Sequence, residues 1–324
     1  MNARENWLKA RKSGIGGSDI GAILGLSPFK TPLDVYLDKI GQDDPQPMNE
    51  AMYFGTIMEG IVADEYARRN NRRVQRVNSI LRHVDKDWML ANIDRAVVAE
   101  GTRARLDASG KLQGASGILE CKTASAYKQG EWGRDGDDDA VPATYAAQAM
   151  WYMAVTGQEW CDVAVLIGGN KYLDKRIERC DDTIKGMIER ADEFWHGHVL
   201  AGIPPEPSNE SDIKRLYPQS EPGKVVEATE ELHNIINQLR DVRLTLKRCE
   251  AEEAALLVMI KAAMAEAEAA EYMGVTLATW KSSAPGSKTD WKAVANAIAA
   301  PKNLIELHTK TTPAIRRFLL KGEK

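Results

Sequence analysis

One segment near the middle of the chain constrains the fold more than any other: residues 117–123, Gly-Ile-Leu-Glu-Cys-Lys-Thr. Its composition predicts a β-strand, on which side chains alternate between two faces. Glu120 and Lys122 then share one face, and Leu119 and Cys121 share the other. A carboxylate and an ammonium on a mostly apolar strand have two interpretations. They form either an exposed ion pair on an edge strand, which contributes little to stability, or part of a functional site.

A second acid favours the functional interpretation. Asp94 interrupts an apolar stretch, residues 89–98, whose composition also predicts a strand. Asp followed by Glu-x-Lys on a neighbouring strand resembles the arrangement in PD-(D/E)xK nucleases. Asp94, Glu120 and the main-chain carbonyl of Cys121 would hold Mg²⁺. Lys122 would orient or deprotonate the water that attacks the phosphodiester.

A long helix is predicted from about Asn49 to Asn70, and it carries a third acid. Glu59 projects from a face of this helix that is small and largely apolar. A carboxylate on such a face needs a partner. The sequence leaves two candidates open, a metal ion or an arginine from elsewhere in the chain.

Glycines meet the start of a short helix near the N-terminus. Arg11 and Lys12 precede the run from Gly14 to Gly17, and Ser18 is predicted to cap a helix that begins at Asp19. Main-chain N–H groups at such a helix start, with a nearby guanidinium, favour an anion. The alternative is a plain glycine turn followed by a cap.

Another helix, predicted from Val141 to Thr156, presents an amide among aromatic rings. Its shared face contains Tyr145, Gln148, Trp151 and Tyr152. Gln148 either contacts substrate or a bound water, or makes hydrogen bonds inside the core. Tyr145 is predicted to contact DNA.

The chain is predicted to fold as an α/β protein with three parts. Residues 1–203 form a nuclease core with a central mixed sheet flanked by helices, and residues 204–222 form a proline-rich linker. Residues 223–324 form a mainly helical extension with a short strand and a basic end around Arg316 and Arg317. Its long helical tract, 225–273, predicts an arm or a helical hairpin. The basic end either contacts phosphates or protects an edge strand.

Composition narrows the protein class. No apolar run approaches the roughly 20 residues that span a bilayer, and the first residues do not lead into a signal peptide, so we expect a cytoplasmic protein with no membrane partner. The four cysteines are far apart in the chain, which predicts reduced thiols and disfavours zinc or iron–sulfur sites. His196 and His198 are a weak metal signal, and a helix end is predicted there. A net charge of −4 disfavours indiscriminate DNA coating.

Several motifs in one order resemble the YqaJ-type viral recombinase family, which includes the exonuclease of phage lambda and belongs to the PD-(D/E)xK nucleases. The segments that carry this resemblance are residues 11–20, 54–59, 91–94, 119–123 and 141–148. The part after Pro222 resembles a C-terminal extension found in many members, including its Trp280-Lys281 and Arg316-Arg317-Phe318. The resemblance implies a restriction-endonuclease-like core with all of its catalytic positions present.

The resemblance also implies individual roles. Asp94 and Glu120 would bind metal, Glu59 would support the metal site, and Lys122 would serve the attacking water. Gln148 would belong to the active-site motif. Arg11 and Ser18 would hold the terminal phosphate of the digested strand.

At the level of function, the resemblance implies a Mg²⁺-dependent 5′-to-3′ exonuclease on linear double-stranded DNA. Mn²⁺ is expected to substitute, and two ions per site are compatible with the motif. The 3′ single strand would pass to a single-strand annealing protein during phage-type recombination. A homotrimeric ring around DNA and a phage or prophage origin in a bacterial host are further expectations.

Two alternatives use the same residues differently. The metal site alone does not separate exonuclease from structure-specific or restriction-like endonuclease action. A DNA-binding scaffold that recruits partners through the C-terminal arm is the alternative outside enzymes, and the complete set of Asp94, Glu59, Glu120 and Lys122 is the feature against it.

Overall fold

The computed structural model describes residues 10–43, 49–133, 140–283, 290–291, 294, 298 and 301–307. The chain divides into two compact units, Met1–Leu216 and Tyr217–Lys324. Within the described residues, no helix is both long and apolar enough to cross a membrane.

The first unit is built on strands that form one large sheet and two small ribbons. The strands are β1 (Arg73–Arg76), β2 (Leu81–Arg82), β3 (Leu90–Ala91), β4 (Arg95–Val98), β5 (Arg105–Leu106), β6 (Leu112–Gln113), β7 (Gly117–Ala124), β8 (Trp160–Ile167) and β9 (Lys171–Glu178). The large sheet has the order β1-β4-β7-β8-β9, while β2 pairs with β3 and β5 with β6. Only β7 and β8 of the large sheet run parallel; its other pairs are antiparallel.

Helices cover this sheet. They are α1 (Gly17–Ile23), α2 (Pro32–Ile40), α3 (Glu50–Asn70), α4 (Ala143–Thr156), α5 (Asp181–Phe194) and α6 (Glu210–Leu216), with a 3₁₀ helix at Ala126–Trp132 and a π-helix at Trp195–Leu200. The start of α2 shows why local sequence sets these bounds. Thr31 accepts a hydrogen bond from the N–H of Asp34, Pro32 occupies the first turn, and Gly41 ends the helix in the left-handed region.

The two faces of β7 contribute to separate cores. Leu119 and Cys121 pack with Val62 and Tyr66 of α3. Ile118 belongs to the larger core on the other face, which contains buried residues of α1, α4 and α5. The predicted α/β class, with a central mixed sheet flanked by helices, is therefore confirmed.

Some local predictions were wrong. Helix α1 starts at Gly17 after Gly16 as N-cap, so Ser18 lies inside the first turn and does not cap it. By contrast, the helix end predicted around His196 and His198 is present, since a π-helix continues α5 and ends at Leu200.

The stretch predicted as a linker, 204–222, contains helix α6, which packs in the first unit. Asp212 accepts a hydrogen bond from the Thr31 hydroxyl at 3.0 Å. Arg215 pairs with Asp34 and with Asp43. The division between the two units falls directly after this helix.

In the second unit, α7 (Glu230–Met264) is one helix of 35 residues. A hairpin follows, formed by β10 (Ala269–Tyr272) and β11 (Val275–Thr279), and α8 spans Lys302–Leu307. The helical tract predicted to reach Met273 stops at Met264, where the next residue, Ala265, has a positive φ angle. Met273 and Gly274, which also have positive φ angles, form the turn of the hairpin. The basic end, 316–321, and the acidic run, 137–139, lie outside the described residues.

Candidate active site

The site forms where β4 and β7 separate. Their pairing starts at Arg95 opposite Leu119, so the residues after Leu119 have no strand partner on the β4 side. Asp94, directly before β4, fills this place with its side chain. Its Oδ2 accepts a hydrogen bond of 2.8 Å from the main-chain N–H of Cys121. The break in the apolar stretch around Asp94 thus brings this acid to the middle of β7.

The main-chain carbonyl of Cys121 faces the same side as Asp94. In an extended strand the N–H and C=O of one residue point toward the same neighbour, and the N–H of Cys121 points at Asp94. The structure therefore directs a third oxygen toward this gap, and its predicted role as a metal ligand stays a prediction.

Glu120 is the most deeply buried acid of the site, with a side chain that is 4% exposed. Its Oε1 accepts hydrogen bonds from Lys122 Nζ at 2.7 Å and from Gln148 Nε2 at 2.6 Å. Its Oε2 is the one buried side-chain nitrogen or oxygen without a hydrogen-bond partner in the described part of the chain. Such an atom is costly unless something binds it, and a cation fits a carboxylate oxygen next to Asp94.

Lys122 and Gln148 both fix the position of the Glu120 side chain, and they also contact each other. Lys122 Nζ also donates to Gln148 Oε1 at 3.0 Å, and Gln148 Nε2 lies 2.9 Å from the Tyr152 hydroxyl. Gln148 is therefore both internally hydrogen-bonded and part of the site. Because the Glu120 side chain is buried, the alternative of an exposed ion pair on an edge strand is excluded.

Burial and charge shift the protonation of both groups. Burial and, next in size, the charge of Glu120 together raise the pKa of Asp94 to about 8. Burial lowers the pKa of Lys122, but attraction to Glu120 and the hydrogen bond to it outweigh burial, so that this pKa lies above its ordinary value. Lys122 is thus charged at neutral pH, which favours orienting a water over deprotonating it.

A pocket of about 180 Å³ connects these acids to the N-terminal segment. It is lined by Arg11, Gly16, Gly17, Ser18, Ile80, Leu90, Ala91, Asn92, Asp94, Glu120, Gln148 and Tyr152. Arg11 Nη2 donates to Ser18 Oγ at 2.9 Å. The two residues predicted to hold a phosphate therefore contact each other, on a wall of the pocket that contains Asp94 and Glu120.

A buried ion pair anchors this wall, and the sequence analysis missed it. Lys39 Nζ donates to Asp19 Oδ2 at 2.7 Å and to the carbonyl of Arg11 at 3.1 Å. Asp19 Oδ2 also accepts from the N–H of Gly16 at 3.0 Å. Burial raises the pKa of Asp19, but Lys39 outweighs burial and the pKa lies below its ordinary value. An acid three residues after Gly16 is a helix-start signal, whereas nothing in the sequence pointed to Lys39.

Glu59 lies beside the site with an arginine as its partner. Arg95 Nη1 donates to Glu59 Oε1 at 2.6 Å and to the carbonyl of Asp94 at 2.7 Å. In the described residues, no three His, Cys, Asp or Glu side chains gather closely enough to hold a metal ion. Of the two partners that the sequence left open for Glu59, the geometry provides the arginine. A metal role for Glu59 stays a prediction.

Tyr145 contacts Lys122 and Trp132. Its ring stacks on Trp132 with centroids 5.5 Å apart, and Lys122 Nζ lies 4.8 Å from the ring centroid. It is not among the residues that line the pocket. Its contact with DNA stays a prediction.

Comparisons with known proteins cover most of the chain. Residues 6–159 match the family described as the YqaJ-like viral recombinase domain. A Bacillus subtilis protein, the uncharacterized protein YqaJ, is 36% identical over 286 residues, which are 86% of this chain and 83% of that protein. An uncharacterized protein of Acanthamoeba polyphaga mimivirus is 28% identical over 158 residues, 49% of this chain and 28% of its own length.

A solved structure is also similar. The crystal structure of an alkaline exonuclease from Laribacter hongkongensis superposes with a TM-score of 0.48 and 21% sequence identity. The matched region covers 65% of this chain and 97% of that protein.

Proposed function

Because this chain belongs to the YqaJ-like viral recombinase family, we propose that it is a Mg²⁺-dependent exonuclease that degrades linear double-stranded DNA from its 5′ ends. One observation carries the proposal. The pocket that contains Asp94 and Glu120 also contains Arg11 and Ser18, so hydrolytic residues and an anion-binding wall face one small space.

Metal binding is supported by the chemistry of the oxygens. Asp94, the unpartnered Oε2 of Glu120 and the carbonyl of Cys121 would hold Mg²⁺, which takes a few protein oxygens and keeps several waters. A bound Mg²⁺ supplies Lewis-acid activation of a phosphoryl oxygen. Mn²⁺ should substitute because it accepts the same oxygen ligands, and a second ion per site belongs to the same proposal.

The remaining residues position the reaction. Lys122, charged and held by Glu120 and Gln148, orients the attacking water and stabilises negative charge that develops on the phosphate. Gln148 fixes the direction of the Glu120 carboxylate through a 2.6 Å hydrogen bond. Tyr152 also lines the pocket, and its hydroxyl lies 2.9 Å from the Gln148 amide nitrogen.

The size and charge of the pocket support action at a strand end. A pocket of about 180 Å³ has room for a phosphate group with a few waters and is far too small for a duplex. A terminal phosphate carries more charge than an internal diester. Arg11, with Ser18 and the start of α1, suits such a group.

The finer parts of the proposal rest on the family. These are the 5′-to-3′ direction, the delivery of a 3′ single strand to an annealing protein in phage-type recombination, and a closed trimeric ring around the duplex. A closed ring stays on the DNA that it encircles without base-specific contacts, and this is compatible with a net charge of −4.

A comparison of DNA forms tests the proposal. With Mg²⁺, digestion of a linearised plasmid should release acid-soluble nucleotides, while the same plasmid in covalently closed form remains intact. Cutting of the closed circle would identify an endonuclease. Binding of either form with no metal-dependent release of nucleotides would identify a scaffold.

A further inference from the structure

The longest helix of the protein has an apolar seam with the spacing of a coiled coil. Over α7, apolar residues recur after alternating steps of three and four, which is the heptad pattern with an average of 3.5 residues per turn. The a positions are Leu232, Leu239, Leu246, Glu253 and Ile260, and the d positions are Ile235, Val242, Cys249, Leu256 and Ala263.

This seam is exposed in the second unit. Six of its large aliphatic side chains, Leu232, Ile235, Val242, Leu246, Leu256 and Ile260, are between 40% and 56% exposed, and Leu239 is half-buried. The hairpin after α7 contacts the end of the helix, where Trp280 lies over Lys261, and Met264 is buried there. A helix about 52 Å long gains most of its stability from packing of its apolar face. Packing of this seam against a partner helix would therefore stabilise α7.

We propose that the partner is α7 of a second copy of this chain, paired antiparallel along the whole helix. The acid in the seam decides the direction. In a parallel pair in register, Glu253 would face Glu253 of the second copy, and two carboxylates would repel each other inside an apolar seam. In the antiparallel pair, Glu253 lies opposite Val242 of the second copy and beside its Arg243.

Charge along the helix supports the same direction. The middle of α7 is basic at Arg243 and Lys247, and the turn that follows is acidic at Glu250 and Glu252. Antiparallel pairing places Arg243 (position e) against Glu250 (position e) of the second copy, twice by symmetry. Parallel pairing offers Arg243 only Gln238 and offers Glu250 only Thr245.

In one register of the antiparallel pair, apolar side chains of the seam pack against apolar side chains of the second copy along the helix. When Leu246 packs against Cys249 of the second copy, Leu239 packs against Leu256, and Ile260 packs against Ile235. The two helices then overlap over their full length, and Ile236 and Leu257 widen the apolar contact from adjacent e positions. A two-fold contact of this kind uses the same surface on both chains.

Cysteine cross-linking of the full-length chain tests this register. In a background with Cys180→Ser and Cys249→Ser, one preparation carries Leu239→Cys and another carries Leu256→Cys. Mixed and mildly oxidised, they should form a disulfide-linked product of twice the chain mass. Each preparation oxidised alone should not, because the two equivalent thiols would stand about 25 Å apart along the helix.

The matched control uses the outer face of the helix. Leu244 and Ala251 lie at the same height in the proposed pair but at f positions, so mixed Leu244→Cys and Ala251→Cys preparations should stay uncross-linked. Circular dichroism checks that each variant keeps its helix content. Cross-linking of Leu239→Cys alone would establish parallel pairing and overturn the proposal. Equal yields from seam and outer face, or no product from either mixture, would overturn it as well.

Discussion

At the scale of single residues, the proposed metal site predicts that a proton and a metal ion compete for Asp94. Its raised pKa, about 8, means that the metal-free protein keeps this carboxyl protonated at pH 6. Metal binding must then release the proton, so Mg²⁺ affinity should rise between pH 6 and pH 8 by up to about tenfold per unit, and level off above pH 8. Thermal-shift titrations with Mg²⁺ at several pH values measure this. Asp94→Asn should lose both the affinity and its pH dependence, and equal affinity of the wild type at pH 6 and pH 9 would contradict the assignment.

The proposed phosphate contact of Arg11 predicts a preference for phosphorylated strand ends. Charge-assisted hydrogen bonds contribute roughly 1.5–3 kcal/mol, or about one to two decades in rate when they act in the transition state. Duplexes with a 5′-phosphate should therefore be digested faster than 5′-hydroxyl duplexes, and Arg11→Ala should reduce this ratio. Lys12→Ala is the matched control, since Lys12 pairs with Asp38 and does not line the pocket. If Arg11→Ala keeps the whole preference, the Arg11–Ser18 wall does not bind the phosphate.

The residue scale also shows how far sequence reasoning reached. The sequence points to Glu120, Lys122 and Asp94 because a charged side chain on an apolar strand is costly to bury unless it has a partner. The arginine partner of Glu59 was not identifiable, because Arg95 comes from a distant strand and its own segment gave no sign of the pairing. The same holds for Lys39, whose buried position depends on how α1 and α2 pack.

At the scale of secondary-structure elements, α1 crosses α4 at close distance through glycines. A Cβ atom added to Gly17 would lie 2.4 Å from the Tyr152 ring, and one added to Gly21 would lie 2.7 Å from Thr144. Gly17→Ala and Gly21→Ala should each destabilise the fold by about 1–3 kcal/mol through overpacking. Gly60→Ala is the control, because nothing lies within 4 Å of its added Cβ. It should be neutral or stabilise by up to about 1 kcal/mol. Urea unfolding measures all three, and equal effects would contradict the close crossing.

Elements with capping signals were predicted well, and those without them were not. Thr31-Pro32 with Gly41, and Asn49, mark helix ends that the structure has. Ala269–Tyr272 was expected to be helical because its composition is rich in Ala and Glu, yet the turn at Met273-Gly274 pairs it with β11. The parallel pairing of β7 with β8 depends on the crossover through α4, which no local pattern specifies.

At the scale of the whole molecule, two kinds of symmetry are proposed for one chain. Where a ring of three cores and a two-fold pairing of α7 helices close on each other, the assembly has D3 symmetry and six chains. Light scattering should report this mass for the full-length protein. A double variant, Leu239→Asp with Leu256→Asp, should reduce it to the ring because charges in the seam repel. A monomer at all working concentrations would contradict both proposals, and a trimer unaffected by the variant would contradict the helix pairing alone.

The measurement that tests the central claim most directly follows the two ends of one strand during digestion. A linear duplex carries an isotopic 5′-phosphate in one preparation and a 3′-terminal label on the same strand in another. With Mg²⁺, the 5′ label should leave first as a mononucleotide while the 3′-labelled strand shortens gradually. Lys122→Ala should slow this release by about 10² to 10³ without loss of DNA binding, because it removes a donor that stabilises charge in the transition state. Release of the 3′ label first, or wild-type rates from Lys122→Ala, would contradict a 5′-to-3′ exonuclease centred on Asp94, Glu120 and Lys122.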